Sequence, residues 1–145
     1  MPDNVLTPLL KGVSADNYFL AIGAVTGAYM AGLRGAVMMQ TSGFALLSNT
    51  LASLVMPYQI PAIMVISERG TMGEFNIGQS LVARTMRPAP DTLGIVHHTL
   101  IDRATMPLIV DSSIKQAFST QAPVAFILSP LLTGGNPAAK AKLKI

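Results

Sequence analysis

The chain is 145 residues long, 50% hydrophobic and only 12% charged, about half the charged share of an ordinary soluble domain. That length suits one domain with a real core and excludes a two-domain enzyme in one polypeptide. With no cysteine there is no disulfide scaffold, thiolate zinc site or cysteine nucleophile, and the expected compartment is the cytoplasm. The basic pI of about 9.5 rests on a net charge of only +3, and Lys140, Lys142 and Lys144 sit together. No basic stripe with interleaved aromatics is present, so nucleic acid is not an expected partner.

The mean hydropathy of +0.49 raises a membrane reading. Residues 18–33 carry no charge and include Gly23-x-x-x-Gly27, a spacing that lets helices approach closely. They are fewer than the roughly 20 apolar residues a span requires. Residues 43–66 are also uncharged, but Ser48, Asn49, Pro57, Gln59 and Pro61 divide them. No membrane span is expected, and Met1-Pro2-Asp3-Asn4 lacks the basic start of a secretory signal. The apolar surplus is read as surface covered by a partner chain.

In chain order, residues 16–33 predict a helix with Ser14 or Asp16 as cap, its small residues Gly23, Ala24, Gly27, Ala28 and Ala31 making one nearly flat face. Residues 36–40 have the length and apolarity of a strand. A turn at Thr41-Ser42-Gly43 opens a second helix over 44–55, and residues 62–66 form the next strand. A polar loop runs from Ser67 to Gln79. Helical character returns over 80–86, Pro88-Ala89-Pro90 breaks it, and 91–94 is a short turn or helix. Residues 95–100 have strand length, 112–120 predict a helix, and 124–128 form the last buried strand. Strand, helix, strand with continuous apolar strands is the rhythm of a parallel α/β sheet covered on both faces. Ligands in such sheets bind beyond the carboxyl ends of the strands, which points to residues 40–43, 67–70 and the flanks of the strand at Ile95.

Three runs carry a resemblance: Gly27-Ala28-Tyr29-Met30-Ala31-Gly32, Val37-Met38-Met39-Gln40-Thr41-Ser42-Gly43, and Asn49-Thr50-Leu51-Ala52-Ser53-Leu54. They are similar to the pyrimidine-binding domain of thiamine-diphosphate enzymes, most closely the alpha subunit of sulfopyruvate decarboxylase and the matching half of phosphonopyruvate decarboxylase. The order continues through residues 60–70, Gln79, Asp91-Thr92-Leu93-Gly94-Ile95 and 123–129. The resemblance implies a three-layer parallel α/β fold over residues 16–129, shortened at its N-terminal side to a segment of residues 1–15, with residues 130–145 as a tail or partner-contacting arm.

In that family the cofactor is shared between two domains or subunits. The second holds the diphosphate and Mg2+ through a Gly-Asp-Gly…Asn motif, and no Gly-Asp pair occurs here. The resemblance thus implies a separate beta-type subunit carrying the metal half, in a hetero-oligomer such as α2β2 or larger. It also implies decarboxylation of a small acidic 2-oxo acid, or carboligation, with thiamine diphosphate as electron sink. One departure stands out. The family's activating glutamate would fall near Tyr18, with Phe19 and Leu20 following, and no carboxylate stands there; the chain's two glutamates are Glu68 and Glu74. A non-catalytic subunit of the same assembly is the rival reading.

Gln40, Thr41, Ser42 and Gly43 are candidate cofactor contacts, because a strand-to-helix turn turns backbone N–H groups outward and glycine permits close approach; the resemblance adds Tyr18, which stands where the family glutamate would fall, with a packed aromatic at a helix start as the alternative. Ser42 serves equally as an ordinary N-cap. Arg69, Gln79 and His97 are the candidate substrate contacts. The planar guanidinium fork of Arg69 suits a carboxylate, sulfonate or phosphonate, or else pairs with Glu68 or a surface acid. Of His97 and His98 in one strand, at most one reaches a site. No metal site is expected in this chain.

Overall fold

The computed structural model describes residues 18–133. The expectations for residues 1–15, for the helix cap at Ser14 or Asp16 and for most of the 130–145 segment lie outside the described residues.

Four strands form one wholly parallel sheet: β1 (Ala36–Gln40), β2 (Ile63–Ser67), β3 (Val96–Leu100) and β4 (Val124–Leu128), in the spatial order β1-β2-β4-β3. The register sets Gln40 beside Ser67, Ser67 beside Leu128, and Leu100 beside Leu128. Those four residues mark the carboxyl edge, where chemistry is expected in such a sheet.

Each strand is five residues long, and β1, β2 and β4 are mostly apolar on both faces, so both faces need cover. On one face Val37, Met39, Met64, Ile66, Ala125 and Ile127 pack against Ala21, Ile22 and Val25 of α1 (Tyr18–Met30). Phe44, Leu47, Leu51 and Val55 complete that layer. On the other face Ile63, Leu100, Val124 and Phe126 pack against α6 (Met106–Thr120) through Ile109, Val110, Ile114, Ala117 and Phe118. The three-layer α/β architecture inferred from the sequence is the observed one. Met38, on the α6 side of β1, stays 73% exposed.

The helices differ in detail from the sequence pattern. No separate turn occupies 41–43: α2 (Thr41–Ala45) starts directly from β1, so Ser42 is its second residue and Gln40 holds the cap position without a side-chain bond. The following helix is broken into α3 (Ser48–Thr50) and a π-helical turn (Leu51–Val55), closed by the Met56 N–H on the Leu51 carbonyl. A further helix, α4 (Ile77–Met86), begins three residues before the expected start, because the Asn76 side chain accepts the Gly78 N–H and caps it. The prolines at 88 and 90 begin α5 (Pro88–Leu93) instead of ending a helix, since a first-turn residue has no N–H bond to lose. By the same logic α6 accommodates Pro107 in its first turn and starts six residues early. A short α7 (Pro130–Thr133) follows β4. Among the described residues no helix is long and apolar enough to cross a membrane.

Candidate functional site at the carboxyl edge of the sheet

The site grows from the ends of β1 and β2. Thr41, the first residue past β1, is fully buried, and its Oγ1 accepts the Arg69 backbone N–H at 2.7 Å while its hydroxyl faces the Arg69 carbonyl at 3.2 Å. One side chain therefore stands in for the neighbouring strand and fixes Arg69 just beyond β2. A threonine serves here because its β-branched stem fills the buried position while its hydroxyl both gives and accepts.

From Arg69 the chain loops back on itself. The Arg69 Nε and Nη2 donate to Glu74 Oε2 and Oε1 at 2.8 and 2.9 Å, a bidentate pair. The Glu74 carboxylate also accepts the Gly70 N–H at 3.2 Å and the Asn76 N–H at 3.0 Å. With the guanidinium bond as the largest cause, these donors hold the Glu74 carboxyl down at about 2, and Glu74 in turn raises Arg69. The sign follows directly: the ionised form is favoured in the fold, so this stability is full above the ordinary carboxyl range near 4.5 and fades as pH falls towards 2. An unfolding series from pH 6 to pH 2.5 is expected to show a stability slope between pH 4.5 and 2.5 that Glu74→Gln flattens; an unchanged slope in the variant would refute the assignment.

Gly70 and Gln79 close the far side of the loop. Gly70 has φ +84, and a Cβ built on it would stand 2.0 Å from the Gln79 backbone carbonyl oxygen. Helix α4 is thereby drawn against the loop, and it also packs on α2. Gln79 Oε1 is buried without a hydrogen-bond partner, one of two such side-chain atoms among the described residues, the other being Thr26 Oγ1. A buried acceptor without a donor carries a desolvation penalty of about 1–3 kcal/mol, which a ligand N–H or O–H would relieve.

The structure thus brings Gln40, Thr41, Ser42, Arg69 and Gln79 to one edge. Tyr18 joins them: its ring covers Gly43, where a Cβ would lie 2.6 Å from ring carbons. The close approach that Gly43 permits is taken by Tyr18 itself. Leu20, the other position considered for the missing glutamate, is 61% exposed on α1.

His97 is not part of this group. Strand β3 is the edge opposite β1, about 14 Å across three strand spacings, and His97 lies near its amino end. Its Nε2 meets Asp91 Oδ1 of α5 at 2.9 Å, whereas His98, on the other face, stacks on Phe126.

Two arrangements had no clear signal in the sequence. Arg69 pairs with Glu74, five residues on, because the loop turns at Gly70 and Gly73, both at positive φ; two glycines between an Arg and a Glu were the available clue. Glu68 reaches the opposite way, accepting from Arg87 Nε at 3.0 Å and from Nη2, while Arg87 Nη1 donates to Thr99 of β3 at 3.1 Å. Both glutamates of the chain are accordingly held by arginines. Among the described residues no cluster of three or more His, Asp or Glu could hold a metal ion.

No protein-family model matches the chain. Over 77 residues it is 47% identical to the sulfopyruvate decarboxylase subunit alpha of Methanothermobacter thermautotrophicus, a match covering 53% of this chain and 47% of that protein. Over 110 residues it is 29% identical to the corresponding subunit of Methanococcus maripaludis, covering 76% of this chain and 66% of that one. The phosphonopyruvate decarboxylase of Streptomyces viridochromogenes is 34% identical over 83 residues, 51% of this chain and 21% of the relative. The chain spans about half the length of the first of these relatives and less than two thirds of each. The chain is therefore similar to sulfopyruvate decarboxylase alpha subunits and to phosphonopyruvate decarboxylases.

Proposed function

We propose that this chain is the pyrimidine-binding subunit of a two-chain, thiamine-diphosphate-dependent enzyme that decarboxylates or carboligates a small acidic 2-oxo acid. Residues 16–129 form the pyrimidine-binding part, and a separate beta-type subunit brings the diphosphate- and Mg2+-binding half. The observation that carries this reading is the meeting of Thr41, Arg69 and the Gln79 backbone at the carboxyl edge, with a partly exposed guanidinium on Arg69 and an unsatisfied side-chain acceptor on Gln79. The subunit names of the relatives support a partner chain.

The residues fit a flat, amine-bearing ring in part. Tyr18 offers an aromatic wall, Gln40 and Ser42 offer polar groups at the end of β1, and the Gln79 oxygen suits an exocyclic N–H. When bound, thiamine diphosphate supplies an electron sink for the carbanion left by decarboxylation. Arg69 holds the acidic group of the substrate, and the buried wall of Phe44 and Met39 limits water on the sheet side. Neither Glu68 nor Glu74 is free to protonate a ring nitrogen, because both carboxylates are engaged by arginines. An acid from the partner subunit would fill that role.

The second reading, a non-catalytic subunit of such an assembly, is favoured by the absence of a carboxylate at Tyr18. Co-expression with a subunit carrying the Gly-Asp-Gly…Asn motif decides between them. The expected result is carbon dioxide release from sulfopyruvate or phosphonopyruvate and thiamine-diphosphate binding by the complex. Stable assembly without turnover or cofactor binding would establish the scaffold role instead.

A further inference from the structure

Glu74 accepts four hydrogen bonds at the carboxyl edge, and neither the resemblance nor the proposed reaction gives it a task. Its four accepted bonds come from Arg69 Nε and Nη2, the Gly70 N–H and the Asn76 N–H. Both oxygens are thereby satisfied, so it cannot take up a proton readily and is no general base. What it does control is the direction of Arg69. A guanidinium has two edges able to grip a flat anion: a side edge formed by Nε and Nη2, and an end edge formed by Nη1 and Nη2. Glu74 occupies the side edge, and no bond within the described residues engages Nη1. The Arg69 backbone is itself fixed by Thr41 at both its N–H and its carbonyl.

With backbone and side edge both held, only the end edge is left, and it belongs to a side chain that is one-third exposed. We propose that Glu74 is a positioning residue that aims the end edge of Arg69 at the acidic group of the substrate. This rests on the assignment of Arg69 as the substrate-anion contact. The loop is built for the purpose: Gly70 and Gly73 at positive φ bring residue 74 back to residue 69, and the cap at Asn76 anchors the returning chain to α4. An arginine so held loses less side-chain freedom when it binds an anion than a free one would.

Two effects of removing Glu74 have opposite signs, which makes the idea testable. Loss of the carboxylate leaves Arg69 with an uncompensated charge and would tighten binding of any anion. Loss of orientation would weaken it. The experiment is calorimetric titration of the full chain with sulfoacetate, an unreactive sulfonate, for the unaltered protein and for Glu74→Gln, Glu74→Asp and Arg69→Gln. Expected are measurable binding by the unaltered chain, loss in Arg69→Gln, about tenfold weakening in Glu74→Gln, and partial recovery in Glu74→Asp, which keeps the charge. Circular dichroism verifies that each variant is folded, and the Arg69 Nε–H resonance should lose its protection from exchange in Glu74→Gln. Tighter or unchanged binding in folded Glu74→Gln would overturn the proposal, as would no binding by the unaltered chain. Because no turnover is read, binding of sulfoacetate in this way by a chain whose co-expressed complex shows no decarboxylation would sink the catalytic reading and leave this one standing.

Discussion

Replacing Gly70 by alanine should destabilise the chain by about 3 kcal/mol or more, lowering the melting temperature by roughly 10 °C or preventing folding. Two independent effects combine. At φ +84 any L side chain meets a penalty of about 1–2 kcal/mol. The added methyl would also stand 2.0 Å from the Gln79 backbone oxygen and 2.7 Å from the Ala83 Cβ. The first of these is backbone of α4, which cannot turn aside as a long side chain could. The same contact fixes the Arg69 loop to the helix bearing Gln79, so relief by moving α4 would also open the candidate site. Gly73 is the control: its φ is +74, but nothing lies within 4 Å of a Cβ there. Gly73→Ala should therefore show the backbone penalty alone, about 1 kcal/mol. Thermal unfolding followed by circular dichroism separates the two, and equal losses in both variants would show that the close packing of Gly70 on Gln79 does not exist.

Arg87→Met is expected to lose about 3–5 kcal/mol, far more than Glu68→Gln at about 1–2 kcal/mol. The asymmetry comes from burial. The Glu68 side chain is only 4% exposed while that of Arg87 is 42% exposed. Methionine preserves the apolar stem but leaves the buried carboxylate without its two guanidinium bonds and leaves Thr99 without its donor. In the reverse variant the arginine head can turn to water. The pair also ties the junction of α4 and α5 to β2 and β3, so its loss should loosen the cover over that part of the sheet. Urea unfolding midpoints at neutral pH test the order, and a Glu68→Gln loss equal to or larger than that of Arg87→Met would contradict it.

Much of the fold was legible because β1, β2 and β4 are apolar on both faces. Val37, Met39, Met64 and Ile66 turn one way and Ile63 and Val65 the other, so a continuous run with no polar alternation had to be sandwiched between layers. Helix starts were less legible. Proline at 88 and at 107 resembles a breaker in a linear pattern, yet each sits in a first turn where its missing N–H has no consequence. The start of α4 depended on a side-chain cap at Asn76 that the apolar pattern does not reveal.

The candidate site was legible in residue type and less so in pairing. Gln40, Thr41, Ser42 and Arg69 were drawn to one edge by a general rule about parallel sheets, and Gln79 by the resemblance. His97 was placed by the same rule through its strand, but it is the second residue of β3, near the amino end, and long-range pairing sets β3 at the far edge of the sheet. Thr41 turned out to act inward, on the Arg69 backbone, and Gly43 to receive Tyr18.

The sequence by itself determined the class of fold, the edge at which chemistry is expected and the resemblance to the decarboxylase subunits, since all three follow from local runs of residues and their spacing. Only the tertiary structure decided which acid meets which arginine. Glu68 and Arg69 are adjacent, yet alternation at the strand end sends one to Arg87 on the sheet side and the other into a glycine-hinged loop closed by Glu74. Charge pairing depends on where backbones cross in space, and two neighbouring residues at the end of a strand face opposite directions.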